Sequence, residues 1–493
     1  MQMHNSAIIN TLSAGALSLV NLIKFFVLEL IVTATAFSSL ALPTGLVDNL
    51  STLGYTQMTA VQAQSLPPVL EGKDIIAQAK TGSGKTAAFS LGVLAKLNVK
   101  RFRIQSLVLC PTRELAEQVA VEMRKLARGI HNIKILTLCG GVSIGPQIGS
   151  LEHGAHIIVG TPGRVDDHIR KGTLRLDDVE TLVLDEADQM LDMGFQDTLD
   201  AIIDCIPKQR QTLLFSATFP RAIEAIAKRV LSNPVMVKVE EEQEKSTIKQ
   251  YFYKMDNNKQ RFNTLKLLLL KFQPESCVVF CNTKVETQQV CDDLSAEGFS
   301  AVALHGDLEQ RDRERTLIHF ANKSASILVA TDVAARGLDI DDMDMVINYH
   351  LAHDPQTHVH RIGRTGRAGK KGIACSIYGD AEQFKVAQIG DHYECDFLPE
   401  QLPPFSLLEK PPYKPQMVTL MIDAGKKQKV RAGDILGALT GKDGVAGRQV
   451  GKINVLDNVA FVAVERNSSK PALRKLTEGN IKGRKIRARR LTR

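Results

Sequence analysis

Short apolar runs recur along the chain after Pro43, and each is followed by a polar motif and then by a stretch with helical periodicity. The runs lack a polar–apolar alternation, which is typical of strands buried on both faces of a parallel sheet. Strands that alternate with helices predict βαβ units. The predicted strands are 74–77, 106–110, 135–138, 157–159, 182–184 and 212–215 in a first series, and 277–280, 301–304, 327–329, 345–347 and 373–377 in a second.

Two breaks divide this pattern. The polar stretch 240–250 separates the two series of strands, which predicts two α/β domains joined by a short hinge. The stretch 398–415 holds six prolines, a density that excludes helix and favours an extended spacer. The predicted segments are an apolar N-terminal extension at 1–36, a first domain at 37–240, a hinge at 241–249, a second domain at 250–397, a proline-rich linker at 398–416 and a third domain at 417–493.

The third domain differs from the others in pattern and in charge. Its periodicity predicts the order βαββαβ, with Ser469 as the N-cap of the second helix. It carries nine Lys and nine Arg against six acidic residues, whereas the whole chain has a net charge of +8. A basic domain on a mildly acidic body predicts a polyanionic partner, most often nucleic acid. Its predicted strands are 417–426, 450–455, 460–464 and 481–490, and its predicted helices are 432–440 and 469–478.

Length and composition limit the class of protein. A chain of 493 residues is too long for one core, and none of its eight cysteines forms a Cys-x-x-Cys pair. Reduced thiols in a cytoplasmic protein are therefore favoured over a zinc site or a disulfide framework. Residues 14–37 are apolar but carry Lys24 and Glu29. These charges favour an amphipathic or disordered extension, or a start site assigned too early, over a signal sequence or a membrane span.

An acidic cluster follows the apolar run 182–184. Asp185, Glu186 and Asp188 would repel one another at the end of a buried strand unless a cation, most simply a divalent metal ion, lay beside them. The carboxyl edge of a parallel sheet is where open α/β folds bind ligands. Taken alone, the cluster fits a solvated acidic turn equally well.

A glycine-rich loop changes the interpretation of that cluster. The sequence AKTGSGKT follows an apolar run and precedes a helical stretch, as in loops that cradle phosphates at a helix N-terminus. Lys85 would then reach the β- and γ-phosphates of ATP, while Thr86 and Asp185 would bind Mg²⁺ and Glu186 would orient or deprotonate the attacking water. The predicted ATP-binding loop consists of Ala79, Lys80, Thr81, Gly82, Ser83, Gly84, Lys85 and Thr86.

From about Phe37 to about Tyr378 the chain resembles the DEAD-box ATP-dependent RNA helicases, motif by motif and in order. The stretch GYTQMTAVQ resembles the motif in which a glutamine, here Gln62, reads adenine, although Met58 and Ala60 replace its usual prolines. Phe37 stands where the family has an aromatic ring that stacks on adenine. The resemblance implies two tandem RecA-like parallel-sheet domains followed by a small α+β domain like an RNA recognition motif.

The resemblance also implies residue roles outside the phosphate loop. PTRELA, a glycine pair and TPGR match RNA-backbone contacts of the first domain, and SAT matches the motif that couples the ATP state to strand separation through Asp188. In the second domain, HRIGRTGR implies that Arg364 and Arg367 reach the γ-phosphate. The implied nucleotide contacts are Gly337 and Asp339; the implied coupling residues are Asp188, Ser216, Thr218 and His360; the implied RNA contacts are Pro111, Thr112, Arg113, Gly141, Thr161, Gly163, Arg164, Gln310, Arg313 and Thr331.

The third domain resembles the RNA-binding domain of the bacterial ribosomal-RNA branch of the family. That likeness implies recruitment to 23S rRNA and to the pre-50S particle. The domain keeps Phe461 on its central strand, but Val459 and Val464 stand where stacking rings would be. Without them the sheet face is a poor stacking platform, and basic residues become the better RNA contacts. The candidates are Lys426, Lys482, Arg484 and Lys485, although a solubilising surface or a generic phosphate clamp fits these residues equally well.

The sequence therefore predicts an enzyme that hydrolyses ATP when RNA is bound and locally unwinds RNA duplexes during assembly of the large ribosomal subunit. ATP and Mg²⁺ are the expected cofactors, no membrane and no obligate protein partner are expected, and the expected location is the cytoplasm. One alternative is an ATP-gated RNA clamp or assembly factor with little unwinding. A DNA translocase is a third hypothesis, disfavoured by the RNA-type motifs.

Overall fold

The computed structural model describes residues 35–79, 82–239, 248–335, 343–366, 371–442 and 444–491. The chain divides into two compact units, Met1–Glu242 and Gln243–Arg493. Within the described ranges, no helix combines the length and the apolar character that a membrane crossing requires. The predicted N-terminal extension lies outside the described residues up to position 34, and so does most of the predicted hinge.

The first unit is built on a seven-stranded, wholly parallel sheet with the strand order β3-β4-β2-β5-β6-β1-β7. Successive residues of one strand enter two different hydrophobic cores: Val183 packs into one, and Leu182 and Leu184 into the other. Both faces are covered, which explains why the strands lack alternation. The strands are β1 Ile75–Gln78, β2 Ser106–Leu109, β3 Ile135–Leu138, β4 Ile157–Gly160, β5 Thr181–Leu184, β6 Gln211–Ser216 and β7 Val235–Lys238. The helices are α1 Thr44–Thr52, α2 Ala60–Leu70, α3 Lys85–Lys96, α4 Arg113–Leu126, α5 Gly145–Glu152, α6 Pro162–Arg170, α7 Ala187–Asp192, α8 Gln196–Asp204 and α9 Arg221–Val230.

The register of the sheet gathers the motifs at one edge. Leu184, the last residue of β5, lies level with Leu109 of β2 and with Leu214 of β6. Gln78, the last residue of β1, lies level with Ser216. Parallel strands end at the same edge, so the segments that follow β1, β2, β5 and β6 all emerge there.

The second unit contains a six-stranded parallel sheet with the order β10-β11-β9-β12-β13-β8. Every predicted apolar run of both units coincides with a strand, which confirms the two parallel-sheet domains. The sequence pattern missed β7 and β8; β7 is partly exposed at the sheet edge, and β8 begins inside the predicted hinge 241–249. The strands are β8 Ile248–Lys254, β9 Cys277–Cys281, β10 Ala301–Leu304, β11 Ile327–Thr331, β12 Met345–Asn348 and β13 Gly372–Tyr378. The helices are α10 Arg261–Phe272, α11 Lys284–Ala296, α12 Gln310–Ala321, α13 Asp332–Ala335, α14 Pro355–Ile362 and α15 Gln383–Tyr393.

The third domain has the predicted βαββαβ order and a four-stranded antiparallel sheet arranged β15-β16-β14-β17. Its last strand is shorter than the predicted 481–490. The prediction that Ser469 caps the second helix was wrong, because Ser469 is the first residue of the helix and its hydroxyl donates to the Arg466 carbonyl. The elements are β14 Met417–Ile422, α16 Ala432–Thr440, β15 Val450–Val455, β16 Ala460–Glu465, α17 Ser469–Glu478 and β17 Ala488–Arg490.

The proline-rich segment before the third domain lies along the second domain. Leu402, Leu407 and Tyr413 pack against the core of that domain, and the Tyr413 ring meets Phe299 edge-on at 6.3 Å between centroids. The Lys414 ammonium group donates to the Gly298 carbonyl. Through its apolar side chains, the proline-rich segment is therefore held against the second domain as a strap and is not a free spacer.

One face of the third domain's sheet also packs against the second domain. Phe461 is fully buried there with Met421 and Leu491, next to Ile318 of α12. Val464 packs on the opposite face, among the helices, so the prediction that it occupies a stacking position was wrong: its parity along β16 differs from that of Phe461.

Buried hydrogen bonds fix this contact. The Asn322 side-chain amide donates to Thr419 Oγ1 at 3.2 Å, and the Ser324 and Thr419 hydroxyls lie 2.7 Å apart. Thr419 is 1% exposed, so water cannot replace a missing partner. The sheet face of the third domain is therefore an internal interface.

The substitution Thr419→Val should destabilise the chain by about 1–3 kcal/mol, because it keeps the side-chain shape and removes the hydroxyl that the buried Asn322 amide and Ser324 hydroxyl contact. Urea unfolding of the full chain measures the change. Thr440→Val is the matched control, since Thr440 is exposed and bonds only within its own helix. Equal midpoints for the two variants would contradict the role of this contact.

Candidate functional site: phosphate loop, carboxylates and RNA-contact motifs

The glycine-rich loop connects β1 to α3. Gly82 and Gly84 have φ angles of 81° and 96°, a left-handed backbone that suits glycine. Lys85 opens α3, is 5% exposed and donates from its ammonium group to the Ala79 carbonyl at 2.7 Å. The Lys85 ammonium group is thus held at the start of the predicted phosphate loop. Of the predicted loop residues, Lys80 and Thr81 lie outside the described residues.

Gln62 lies against this loop. Its amide donates to the Gly84 carbonyl at 3.1 Å, and its Oε1 accepts from the Thr59 backbone N–H at 2.9 Å. A Cβ atom at Gly84 would lie 2.5 Å from the Gln62 amide nitrogen, so this approach requires glycine. Phe37 is 3% exposed and meets the Tyr55 ring edge-on, with 6.1 Å between centroids. Its stacking on adenine stays a prediction.

The acidic cluster is buried rather than solvated. Asp185, Glu186 and Asp188 are 2%, 4% and 5% exposed, and Glu186 has a left-handed φ of 51° where β5 turns into α7. Within the described residues, Asp185 Oδ1 accepts no hydrogen bond. Burial and then repulsion by Glu186 raise the pKa of Asp185 to about 7, although the positive charge of Lys85 partly offsets them.

This environment fits a divalent cation, whose charge would stabilise the ionised Asp185. Among the residues that the structure describes, no three His, Cys, Asp or Glu side chains cluster as a complete metal cage. Mg²⁺ commonly takes one or two protein ligands and completes its shell with phosphates and water. Asp185 and the Thr86 hydroxyl, next to Lys85 at the start of α3, are the residues suited to hold it.

Asp188 connects this edge to the segment after β6. Its Oδ2 accepts from the backbone N–H and from the hydroxyl of Thr218, at 2.9 and 2.8 Å. The Ser216 hydroxyl donates to the Thr218 carbonyl at 2.7 Å, and the Ser216 carbonyl accepts from the Ala79 N–H at 3.0 Å. Hydrogen bonds therefore run from the acidic cluster through the SAT motif to the phosphate loop.

The predicted RNA-contact motifs of the first unit meet beside the sheet. The Arg113 guanidinium lies against the backbone of Gly140 and Gly141, leaving no room for a side chain at Gly141. Arg164 donates to the Val142 carbonyl at 2.9 Å and to Gln147 Oε1 at 3.1 Å. The other predicted contacts in these motifs are Pro111, Thr112, which caps α4 through its side chain, and Thr161 and Gly163 at the start of α6.

In the second unit, Arg361 is the centre of a buried network. It is 2% exposed, and its guanidinium contacts both Asp332 carboxylate oxygens at 2.6 and 2.7 Å, with the Phe280 ring 5.2 Å away. It also donates to Asn348 Oδ1 at 3.2 Å and to Asn282 Oδ1 at 3.3 Å. Asp332, Asn282 and Asn348 were not predicted as members of this network, although each directly follows or ends a buried strand, the signal that identified Asp185.

The structure describes some of the remaining predicted residues of this unit, whereas others lie outside the described residues. The Arg313 guanidinium donates to the Ala334 carbonyl at 2.8 Å, and the Ala334 N–H donates to Thr331 Oγ1 at 3.4 Å, so two predicted RNA contacts come together. Arg364 is 8% exposed and follows α14. Gln310 is half-buried at the start of α12, and His360 is half-buried near the end of α14. Gly337, Asp339 and Arg367 lie outside the described residues.

Two loops bring the basic residues of the third domain together. The Lys482 ammonium group donates to the Lys429 carbonyl at 2.9 Å, and both lysines have a left-handed backbone. Lys426, Arg484 and Lys485 are exposed on the same two loops. Cations left in solvent next to one another form a surface for phosphate groups.

Three family descriptions match successive parts of the chain: DEAD/DEAH box helicase over 59–226, helicase conserved C-terminal domain over 260–369, and DbpA RNA binding domain over 419–490. The chain is 53% identical over 460 residues to the ATP-dependent RNA helicase DbpA of Escherichia coli (strain K12), and this match covers 92% of this chain and 99% of that protein. It is 46% identical over 344 residues to the DEAD-box ATP-dependent RNA helicase CshA of Geobacillus kaustophilus, covering 70% of this chain and 73% of that protein.

Among solved structures, the chain resembles S. cerevisiae Dbp5 bound to RNA and ADP BeF3, with a TM-score of 0.66, 33% identity, and coverage of 74% of this chain and 96% of that one. The phosphate loop and the buried carboxylates indicate the same kind of enzyme as the matched domains do. The chain therefore belongs to the DEAD-box family of ATP-dependent RNA helicases, enzymes that hydrolyse ATP, and it carries a DbpA-type RNA-binding domain.

Proposed function

We propose that the enzyme uses ATP hydrolysis to separate short RNA duplexes within 23S rRNA during assembly of the 50S subunit, in the cytoplasm. The observation that carries this proposal concerns the surface of the third domain: its two basic loops are exposed, whereas its sheet face is buried against α12. Similarity to DbpA along nearly the whole chain supports the same assignment.

For ATP hydrolysis, Glu186 orients or deprotonates the attacking water, and Lys85 neutralises charge on the β- and γ-phosphates. Thr86 and Asp185 would hold Mg²⁺, which would supply further positive charge beside the phosphates. Arg364 and Arg367 stabilise the charge that develops on the γ-phosphoryl group, an effect worth about 10³–10⁵ in rate in related enzymes. The proposed adenine and ribose contacts are Phe37, Gln62, Gly337 and Asp339.

For RNA binding, the motif residues of the first unit hold the phosphate backbone of a single strand. The packing of Arg113 on Gly141 and the bonds of Arg164 support this, because they preorganise donors at one edge of the sheet. The Asp188–Thr218 contact then relates the ATP site to the RNA site. Gln310, Arg313 and Thr331 contribute the corresponding contacts in the second unit.

Targeting depends on the basic loops rather than on base stacking. Phe461, the one aromatic residue of β16, is fully buried and cannot stack on a base. Lys426, Lys482, Arg484 and Lys485 then contact the phosphates of the target RNA, and the loop backbone contributes shape. Phosphate contacts give affinity and orientation.

The substitution Glu186→Gln should leave ATP binding intact and lower the RNA-stimulated rate of ATP hydrolysis by about 10²-fold or more, because the amide cannot accept a proton. Steady-state turnover and equilibrium binding of a fluorescent ATP analogue measure the two quantities. Glu180→Gln is the control, since Glu180 is exposed and pairs with Arg101 before β5. Turnover in the Glu186 variant equal to that of the control would refute the assignment.

The double substitution Lys426→Gln/Lys485→Gln should weaken binding to a 23S rRNA fragment, because it removes two cations that face phosphates. The slope of log affinity against log salt should fall by about 1 for each phosphate that the protein no longer neutralises. Lys452→Gln/Lys470→Gln removes the same charge elsewhere on the domain, at exposed positions. Equally weakened binding in both pairs would contradict a localised site.

Substitutions test targeting more cleanly than truncation, because removal of the third domain would expose Ile318 of α12. Unwinding assays on duplexes attached to the 23S fragment complete the test. ATP turnover without strand separation would favour the ATP-gated clamp instead.

A further inference from the structure

His350 lies two residues after β12 of the second domain, between two carboxylates. Its Nε2 is 2.6 Å from Glu286 Oε1 on α11, and its Nδ1 is 3.8 Å from Glu382 Oε1, just before α15. The imidazole side chain is 23% exposed. A neutral imidazole has a single N–H and can donate to only one of the two acids, so the full bridge requires the protonated ring.

The backbone of the same residue holds an arginine. The His350 carbonyl accepts from Arg361 Nη1 at 2.7 Å, and this bond complements the paired contacts of Arg361 with Asp332. Arg361 belongs to α14, and Arg364 follows that helix within one turn. The position of His350 therefore bears directly on the position of the arginine segment.

The charges around the ring favour the proton on balance. Glu286 and Glu382 attract it; Arg261, which pairs with Glu382 at 2.7 Å, and Arg361 oppose it. Burial lowers the pKa of His350, but the hydrogen bond to Glu286 and the ion-pair contact with Glu382 outweigh burial, so the pKa rises above its ordinary value of 6.5. The neighbouring Tyr349 ring meets the imidazole edge-on.

We propose that protonated His350 is a positioning residue for RNA-stimulated ATP hydrolysis: its bridge between Glu286 and Glu382 fixes the segment after β12, where the His350 carbonyl orients Arg361 and, through α14, Arg364. The inference rests on the proposed role of Arg364. A group whose pKa is raised on folding stabilises the fold fully below its unfolded value, and that stabilisation is lost as pH rises through the folded value. The arrangement of the arginine segment therefore weakens towards alkaline pH.

The test compares kcat for RNA-stimulated ATP hydrolysis between about pH 6 and about pH 9 in the wild-type chain and in His350→Gln. The wild-type kcat should fall several-fold with rising pH, whereas the His350 variant should start lower and lack that fall. His392→Gln, an exposed site in the same domain, should follow the wild type. Parallel profiles for all three proteins would overturn the proposal.

Two further variants keep the test decisive. Glu286→Gln removes one acid but preserves a hydrogen-bond acceptor, so the fall in kcat should move to lower pH; an unchanged midpoint would count against the bridge. Arg364→Ala separates this inference from the proposed function. Abolished turnover in that variant together with parallel histidine profiles removes only the role of His350, whereas retained turnover removes the role of Arg364 itself.

Discussion

The burial of Asp185 and Glu186 is the constraint on which the first unit depends. Two carboxylates in a nearly dry environment repel each other, and the pKa of Asp185 rises accordingly. Lys85 brings one positive charge to the same edge, which partly offsets this repulsion. The strand that delivers the acids must be apolar on both faces, and this requires a sheet covered on both sides.

In the second unit, the protein itself compensates the buried charge of Arg361. Arg361 is as buried as Asp185, but two oxygens of Asp332 and two asparagine side chains satisfy its donors. A buried ion pair is tolerated when additional hydrogen bonds satisfy its remaining polar atoms. One unit thus holds an unbalanced negative site, and the other holds a balanced positive one.

Predictions from the sequence were correct where a feature depends on residues that are close together in the chain. Apolar runs predicted the buried strands, and the sequence AKTGSGKT predicted a loop between a strand and a helix. The predictions failed where a contact joins distant segments: nothing near Phe461 in sequence indicates that α12 will cover it, and the polar character of β8 hid an edge strand. The bridge at His350 was invisible for the same reason, since its acids lie 64 positions before it and 32 after it.

The helix α12 shows how such long-range contacts combine. Its first turns carry Arg313, which bonds the Ala334 carbonyl, and its later turns carry Ile318, against the sheet face of the third domain. A helix rises about 1.5 Å per residue, so these two positions lie about 8 Å apart along a rigid axis. RNA held by the basic loops and RNA held near Arg313 would therefore share one frame within the second unit. Because the strap and the buried Thr419 contacts keep the third domain on that frame, its binding energy can orient the target as well as retain it.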